Sequence, residues 1–237
     1  IGAIVLYLLV GSPLALYLPE ANQGQPQLTQ QDIEGMVERL AQRLEKDPNN
    51  AILLSQRASV LMKMGRIQEG LPNISTAFRL DSLNLDIRKI HADYMLAGTR
   101  ILAARKDYNF IIEQNPGDAE AYLGMARTYA IEDYYEKAFQ YADEALKRDK
   151  FLRDAYELKG LMFRVQNKLD LAISSYQTAV EVDPKFYSGY VALGNLFEIK
   201  EDPIAFEYRT FTTLGPNCRP ANSRSALAAS CTVAYSK

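Results

Sequence analysis

The chain has 237 residues, 48% hydrophobic and 24% charged, with a formal net charge of −2. That balance lacks the strongly basic face that a nucleic-acid partner requires. One His, two Cys and no Trp exclude a zinc cluster or a disulfide-dense scaffold. Cys218 and Cys231 both fall in the last segment, where a pair and two free thiols remain open readings.

In chain order, Ile1 to Leu18 (IGAIVLYLLVGSPLALYL) carries no charge and is long enough for a membrane span, which needs roughly 17–25 residues. A signal-peptide remnant is the second reading. A buried core helix, interrupted at Gly11-Ser12-Pro13, is the third. Residues 19–30 form a linker rich in Gln, Asn, Pro and Gly, with Glu20 and no Lys or Arg. Under the positive-inside rule this places the downstream chain outside the cytoplasm. From Gln31 to Lys46, Ile33, Met36, Val37, Leu40, Ala41 and Leu44 recur at helical spacing, with Thr29 and Asp32 as candidate caps. This helix is expected to cap a stack that follows it.

The hydrophobic span running into LYLLVGSP, the Gln/Pro spacer and DIEGMVERLAQRLEKDPNN resemble the tetratricopeptide (TPR) proteins of bacterial cytochrome c maturation. That resemblance implies a membrane-anchored periplasmic array that holds unfolded apocytochrome c for haem attachment.

From residue 51 a 34-residue period takes over. The fourth positions read Leu54, Arg88, Tyr122, Tyr156 and Tyr190; the small eighth positions read Ala58, Ala92, Ala126, Gly160 and Gly194; the eleventh read Leu61, Met95, Tyr129, Phe163 and Phe197. With Ala172, Tyr176 and Pro184 added, the stretch from Arg153 to Pro184 resembles the TPR pattern W-x2-L-G-x2-Y, A-x3-F, P. The later segment KGLMFRVQNKLDLAISSYQTAVEVDPKFYSGYVALGNLF is similar to TPR lipoproteins of Bacteroidota. The fold expected is an all-α TPR helix-turn-helix solenoid of about five repeats, with a capping helix before it and the hydrophobic helix 1–18 at its start. The array is placed at 31–214, with repeats near 51–84, 85–118, 119–152, 153–186 and 187–214, and 215–237 is a tail or weak capping segment.

Four local features stand out. Pro72 falls inside the second helix of the first repeat and is expected to kink or shorten it. His91, the one histidine, reads as a packed or capping residue, since a metal site needs several ligands. Tyr122 and Tyr129 sit at consensus positions and read as seam fillers between repeats. In the fifth repeat, Ala205 comes one residue early after Pro203, which suggests a shortened turn.

There is no Gly-rich phosphate loop, G-x-S-x-G elbow or H-E-x-x-H. No enzyme activity, cofactor, metal or small-molecule substrate is expected. Resemblance to TPR proteins implies a concave groove lined by the first helix of each repeat. Mapped onto this sequence, its partner-binding residues are Lys63, Lys89, Asp93, Leu123, Arg127, Glu157, Leu161, Arg164, Val191 and Asn195. The carboxylate clamp of some TPR proteins is not expected, because Lys89 and Asn195 lie in distant repeats. A mixed lining suits an extended or helical segment with apolar anchors and a few charges. Two functions follow: a protein-binding module of the bacterial envelope, holding clients such as apocytochrome c, or a scaffold subunit packed permanently against folded partners. In both, the amino-terminal helix is the contact with the membrane.

Overall fold

The computed structural model describes residues 30–201. The anchor helix at 1–18, the linker up to residue 29, the Thr29 cap, the turn at Pro203 with Ala205, and the tail with Cys218 and Cys231 lie outside the described residues. Among the described residues there are ten helices and no strand, and no helix is long and apolar enough to cross a membrane.

Helix α1 (Gln30–Lys46) precedes five first helices: α2 (Ala51–Lys63), α4 (Leu85–Ala97), α6 (Ala119–Ile131), α8 (Arg153–Val165) and α10 (Tyr187–Ile199). Each begins at the first residue of the repeat assigned from the period. Between them run α3 (Ile67–Leu80), α5 (Ile101–Gln114), α7 (Tyr135–Arg148) and α9 (Leu169–Val182). The described residues divide into two compact units, 30–150 with α1–α7 and 151–201 with α8–α10. Within the first unit α2 packs on α3, α4 on α5 and α6 on α7; α2 also lies beside α4, and α4 beside α6. The three first helices therefore share one face. In the second unit α8 packs on α9, and α9 on α10.

Local chemistry fixes where helices start and stop. Asn50, Asn84 and Asp118 cap α2, α4 and α6, their side-chain oxygens accepting from Leu53 N, from Asp86 N and Ile87 N, and from Ala121 N. Each satisfies donors that a helix start leaves open. In α8 and α10 the cap positions hold Leu152 and Phe186, which make no such bond. The turn after each first helix passes through the left-handed region at Gly65, Thr99, Asp133, Asn167 and Glu201, with φ of 72°, 57°, 62°, 56° and 54°. At the first four, paired backbone bonds close the helix end, such as Thr99 N to Leu96 O and Arg100 N to Met95 O. Glycine occupies only the first of these turns, so the other four carry a Cβ in a conformation that disfavours it.

Close packing follows from the small residues. Ala58, Ala92 and Ala126 are fully buried, as are Ala104, Ala138 and Ala172 on the second helices. The core of the first unit gathers Ile74, Ile87, Tyr94, Tyr108, Ile111 and Met125; that of the second gathers Tyr176, Leu193, Leu196 and Phe197. Tyr108 lies against Gly124, where an added Cβ would stand 2.3 Å from its ring. Tyr176 lies against Gly160 in the same way, at 2.8 Å. Helix α1 packs on α2, with Val37 buried and Glu34 paired to Arg66 at 2.8 Å.

Pro72 does not shorten its helix. At 14 residues α3 equals α5, α7 and α9. The carbonyl that proline leaves without a partner belongs to Gln68, and both residues are exposed, so water can satisfy it.

Candidate protein-interaction site

The first-helix face of residues 30–150 carries Lys63, Lys89, Asp93 and Arg127 of the expected set. Lys63 is exposed at the end of α2, and Arg127 is half-buried on α6. Lys89 is half-buried and reaches from α4 to the start of α6, pairing with Asp118 at 2.8 Å and Glu120 at 3.0 Å. Burial pulls its ammonium down, but the hydrogen bonds to Asp118 and Glu120 outweigh that, and the net shift is upward. One turn along α4, Asp93 accepts a 2.5 Å hydrogen bond from the Tyr108 hydroxyl. Burial drives the Asp93 carboxyl up; that hydrogen bond and the nearby charge of Arg127 offset part of the rise, and Glu120 adds to it. Burial also holds the Tyr108 phenol well above its ordinary range, and the Asp93 charge pushes the same way.

The result is a cluster in which Lys89, Asp93, Glu120 and Arg127 present both signs of charge on one face, anchored from below by Tyr108. Asp118, Glu120 and Tyr108 were not among the residues expected there. Glu120 occupies the second position of its repeat, on the first helix expected to line the groove, so its signal was present in the period. Tyr108 stands on a second helix, and only the fold brings it to Asp93.

Leu123 and Leu161 are corrected. Expected among the residues that line the groove, they are only 3% and 1% exposed, and they work as packing residues. Their positions face between helices because α6 is buried along most of its length and α8 buries Leu158, Leu161 and Met162 together. In the second unit Glu157 is half-buried and bonded to Arg153 at 3.2 Å, whose guanidinium also lies 4.2 Å over the Phe186 ring. Arg164 and Val191 are half-buried and Asn195 is exposed. The ten expected residues therefore fall five to each unit.

Arg88, standing where the other repeats carry Leu or Tyr, is 8% exposed. Its guanidinium bonds to Asp107 at 2.8 Å and to the Ser82 carbonyl, and lies 3.8 Å over Phe110. His91 stacks on Phe78 with centroids 4.0 Å apart and bonds to Asp107 Oδ2 at 2.7 Å, so it is a packed residue. One repeat later the places of Arg88 and Asp107 are held by Tyr122 and Tyr141, centroids 6.4 Å apart. Tyr122 is buried and Tyr129 is half-buried, stacked 5.4 Å from Tyr141 and covered by Arg105 at 4.0 Å. Among the described residues no group of three or more His, Cys, Asp or Glu could hold a metal ion.

A family profile described as Tetratricopeptide repeat matches residues 135–190. Human Protein O-mannosyl-transferase TMTC1 is 27% identical over 169 residues, which cover 70% of this chain and 19% of that protein. The human Mitochondrial import receptor subunit TOM70 is 25% identical over 183 residues, 74% of this chain and 29% of its own length. The chain spans less than a third of these relatives. Among solved structures, a thermophilic TPR protein of Thermus thermophilus superimposes with a TM-score of 0.64 at 18% identity, covering 71% of this chain and 92% of that one. Pseudomonas aeruginosa pilF gives 0.59 at 16%, covering 70% and 76%. The fold is that of a tetratricopeptide repeat protein.

Proposed function

We infer that this tetratricopeptide chain is a non-enzymatic interaction module, whose first-helix face over residues 30–150 holds an extended or helical segment of a client protein. The observation that carries this reading is the cluster of Lys89, Asp93, Glu120 and Arg127, fixed in place by Tyr108 and Asp118. Charges held by neighbouring helices cost little further ordering when a partner arrives. They also select for a complementary charge pattern more than they add raw affinity. The tetratricopeptide fold typically serves as a non-catalytic interaction module, and TOM70, a partial relative, is an import receptor subunit.

The finer reading places the module in a bacterial cell envelope, tethered to the membrane through residues 1–18, with the array in the periplasm and apocytochrome c as client. Its support is the uncharged stretch Ile1 to Leu18 and the resemblance of the first fifth of the chain to cytochrome c maturation proteins. The scaffold reading draws on a different observation: Leu83 and Leu102 are large, apolar and exposed, and neither lies on a first helix.

Affinity capture with the full-length chain from its native membranes, read by mass spectrometry, tests the choice. Arg127→Glu and Lys89→Glu are expected to release the client by about tenfold, the effect of roughly 1.4 kcal/mol. Recovery of apocytochromes or haem-attachment components supports the finer reading. Stoichiometric recovery of one folded complex, unaffected by either reversal, replaces the client reading with the scaffold.

A further inference from the structure

Helix α5 carries its charges the wrong way round for its own dipole. A helix favours acids near its start and bases near its end, and two other helices of the same unit obey. Helix α1 has Asp32 in its first turn and Arg43 and Lys46 in its last; α7 has Glu136 first and Lys147 and Arg148 last. Helix α5 has no acid in its first turn and no base in its last. Instead Arg100 stands at its cap, Lys106 follows in its second turn, and Glu113 lies at its far end.

The same helix exposes Leu102 at 76%, the highest exposure of any large apolar side chain among the described residues. Leu102, Lys106, Asn109 and Glu113 follow one another at spacings of four, three and four, so they form one outward ridge. Beside the ridge is a concavity of about 470 Å³, lined also by Arg88, Arg105 and Phe110. The two arginines are already matched, Arg88 by Asp107 and Arg105 by Glu132. Arg100 and Lys106 are exposed, and among the described residues neither is paired with a carboxylate. The amino-terminal half of this face is thus a positive rim around an exposed leucine, with an aromatic ring in the adjoining hollow.

We propose that the outward face of α5 is a second docking surface, and that its occupant is an acidic segment of a partner protein carrying an apolar anchor. The anchor covers Leu102 and enters the hollow against Phe110, while its carboxylates meet Arg100 and Lys106. An apolar centre with a charged rim is the anatomy of a protein-binding patch. This surface is centred on a second helix, with Arg88 of α4 at its back, and shares no residue with the cluster of Lys89, Asp93, Glu120 and Arg127 on which the client reading is built.

The test titrates the full-length protein with a fluorescein-labelled peptide alternating Glu-Glu with Leu, against a control in which Lys replaces Glu. Binding of the acidic peptide is expected to be saturable and to weaken with salt, as exposed charge contacts do. Leu102→Asp and Lys106→Glu are each expected to weaken it about tenfold, the scale of losing one anchor residue. Arg127→Glu is expected to leave it unchanged. Both altered side chains are exposed, and an unchanged helical circular dichroism spectrum confirms that the variants fold. The proposal is overturned by no saturable binding, by equal binding of the Lys control, by loss in Arg127→Glu but not in the α5 variants, or by conversion of a dimer to a monomer by Leu102→Asp in sedimentation. The last would assign the face to a second copy of the chain. Binding to phosphatidylglycerol vesicles that Lys106→Glu abolishes, with no peptide binding, would assign it to a membrane surface and likewise overturn it.

Discussion

Gly124 offers a substitution whose sign depends on the packing. By helix propensity alone, Gly124→Ala in the middle of α6 should stabilise the chain by about 1 kcal/mol. The structure reverses that expectation. A Cβ at this position would stand 2.3, 2.4 and 2.7 Å from three carbons of the Tyr108 ring. Tyr108 is fully buried, so the ring can yield only by displacing its neighbours, and its hydroxyl would be drawn off Asp93. Overpacking of this kind costs about 1–3 kcal/mol, and weakening a hydrogen bond to a carboxylate adds up to about 1.5–3. Set against the propensity gain, the net is a loss of about 2–3 kcal/mol, or roughly 5–10 °C in Tm for a chain of this size. Thermal unfolding followed by circular dichroism gives the shift. Because repeat arrays depart from two-state behaviour, amide exchange over α4 to α6 should locate the loss there. Gly35→Ala on α1 is the control: its Cβ would meet Arg39 at an ordinary 3.5 Å, so propensity should win and stability rise. A Tm increase in Gly124→Ala comparable to that control would refute the packing argument.

Three more expectations follow. Thr99 holds φ at 57°, so Thr99→Gly should raise stability by about 0.5–1 kcal/mol, read from the urea midpoint, and no change would show that the turn relaxes. Arg88→Met should cost about 3 kcal/mol by taking the guanidinium from the buried Asp107 and leaving it only its bond to His91, whereas Arg88→Tyr with Asp107→Tyr, copying Tyr122 and Tyr141, should cost much less than the single change. A double-mutant cycle without coupling would sink that account. The Asp93 carboxyl is raised on folding, so the native state binds its proton more tightly than the unfolded chain. Its contribution to stability is therefore greatest below its ordinary value of 3.8 and falls as pH climbs through its raised value in the folded chain. Asp93→Asn keeps an oxygen for Tyr108 and should flatten that part of the pH profile of Tm; an unchanged slope would remove Asp93 from it.

The helix pairs were legible in the sequence because they rest on local chemistry repeated every 34 residues. A small eighth position and an apolar or aromatic eleventh recur in every repeat, an apolar or aromatic fourth in all but the second, and a terminal proline in the second and fourth, and the five first helices begin where those positions place them. Pro72 misled because its cost depends on whether the freed carbonyl sees water, and that is decided by which side of α3 faces out. Leu123 and Leu161 misled for a related reason: the period gives a residue's place in its repeat, but burial depends on how closely the neighbouring helices pack. The charged cluster needed the fold most of all. Lys89 meets Asp118 and Glu120, and Asp93 meets Tyr108, across helices whose side chains come together only after packing. The sequence by itself determined the repeat and its register, since both are written within 34 residues. Tertiary structure decided which charges meet and which apolar side chains are covered, because Coulombic and packing energies depend on distance in space.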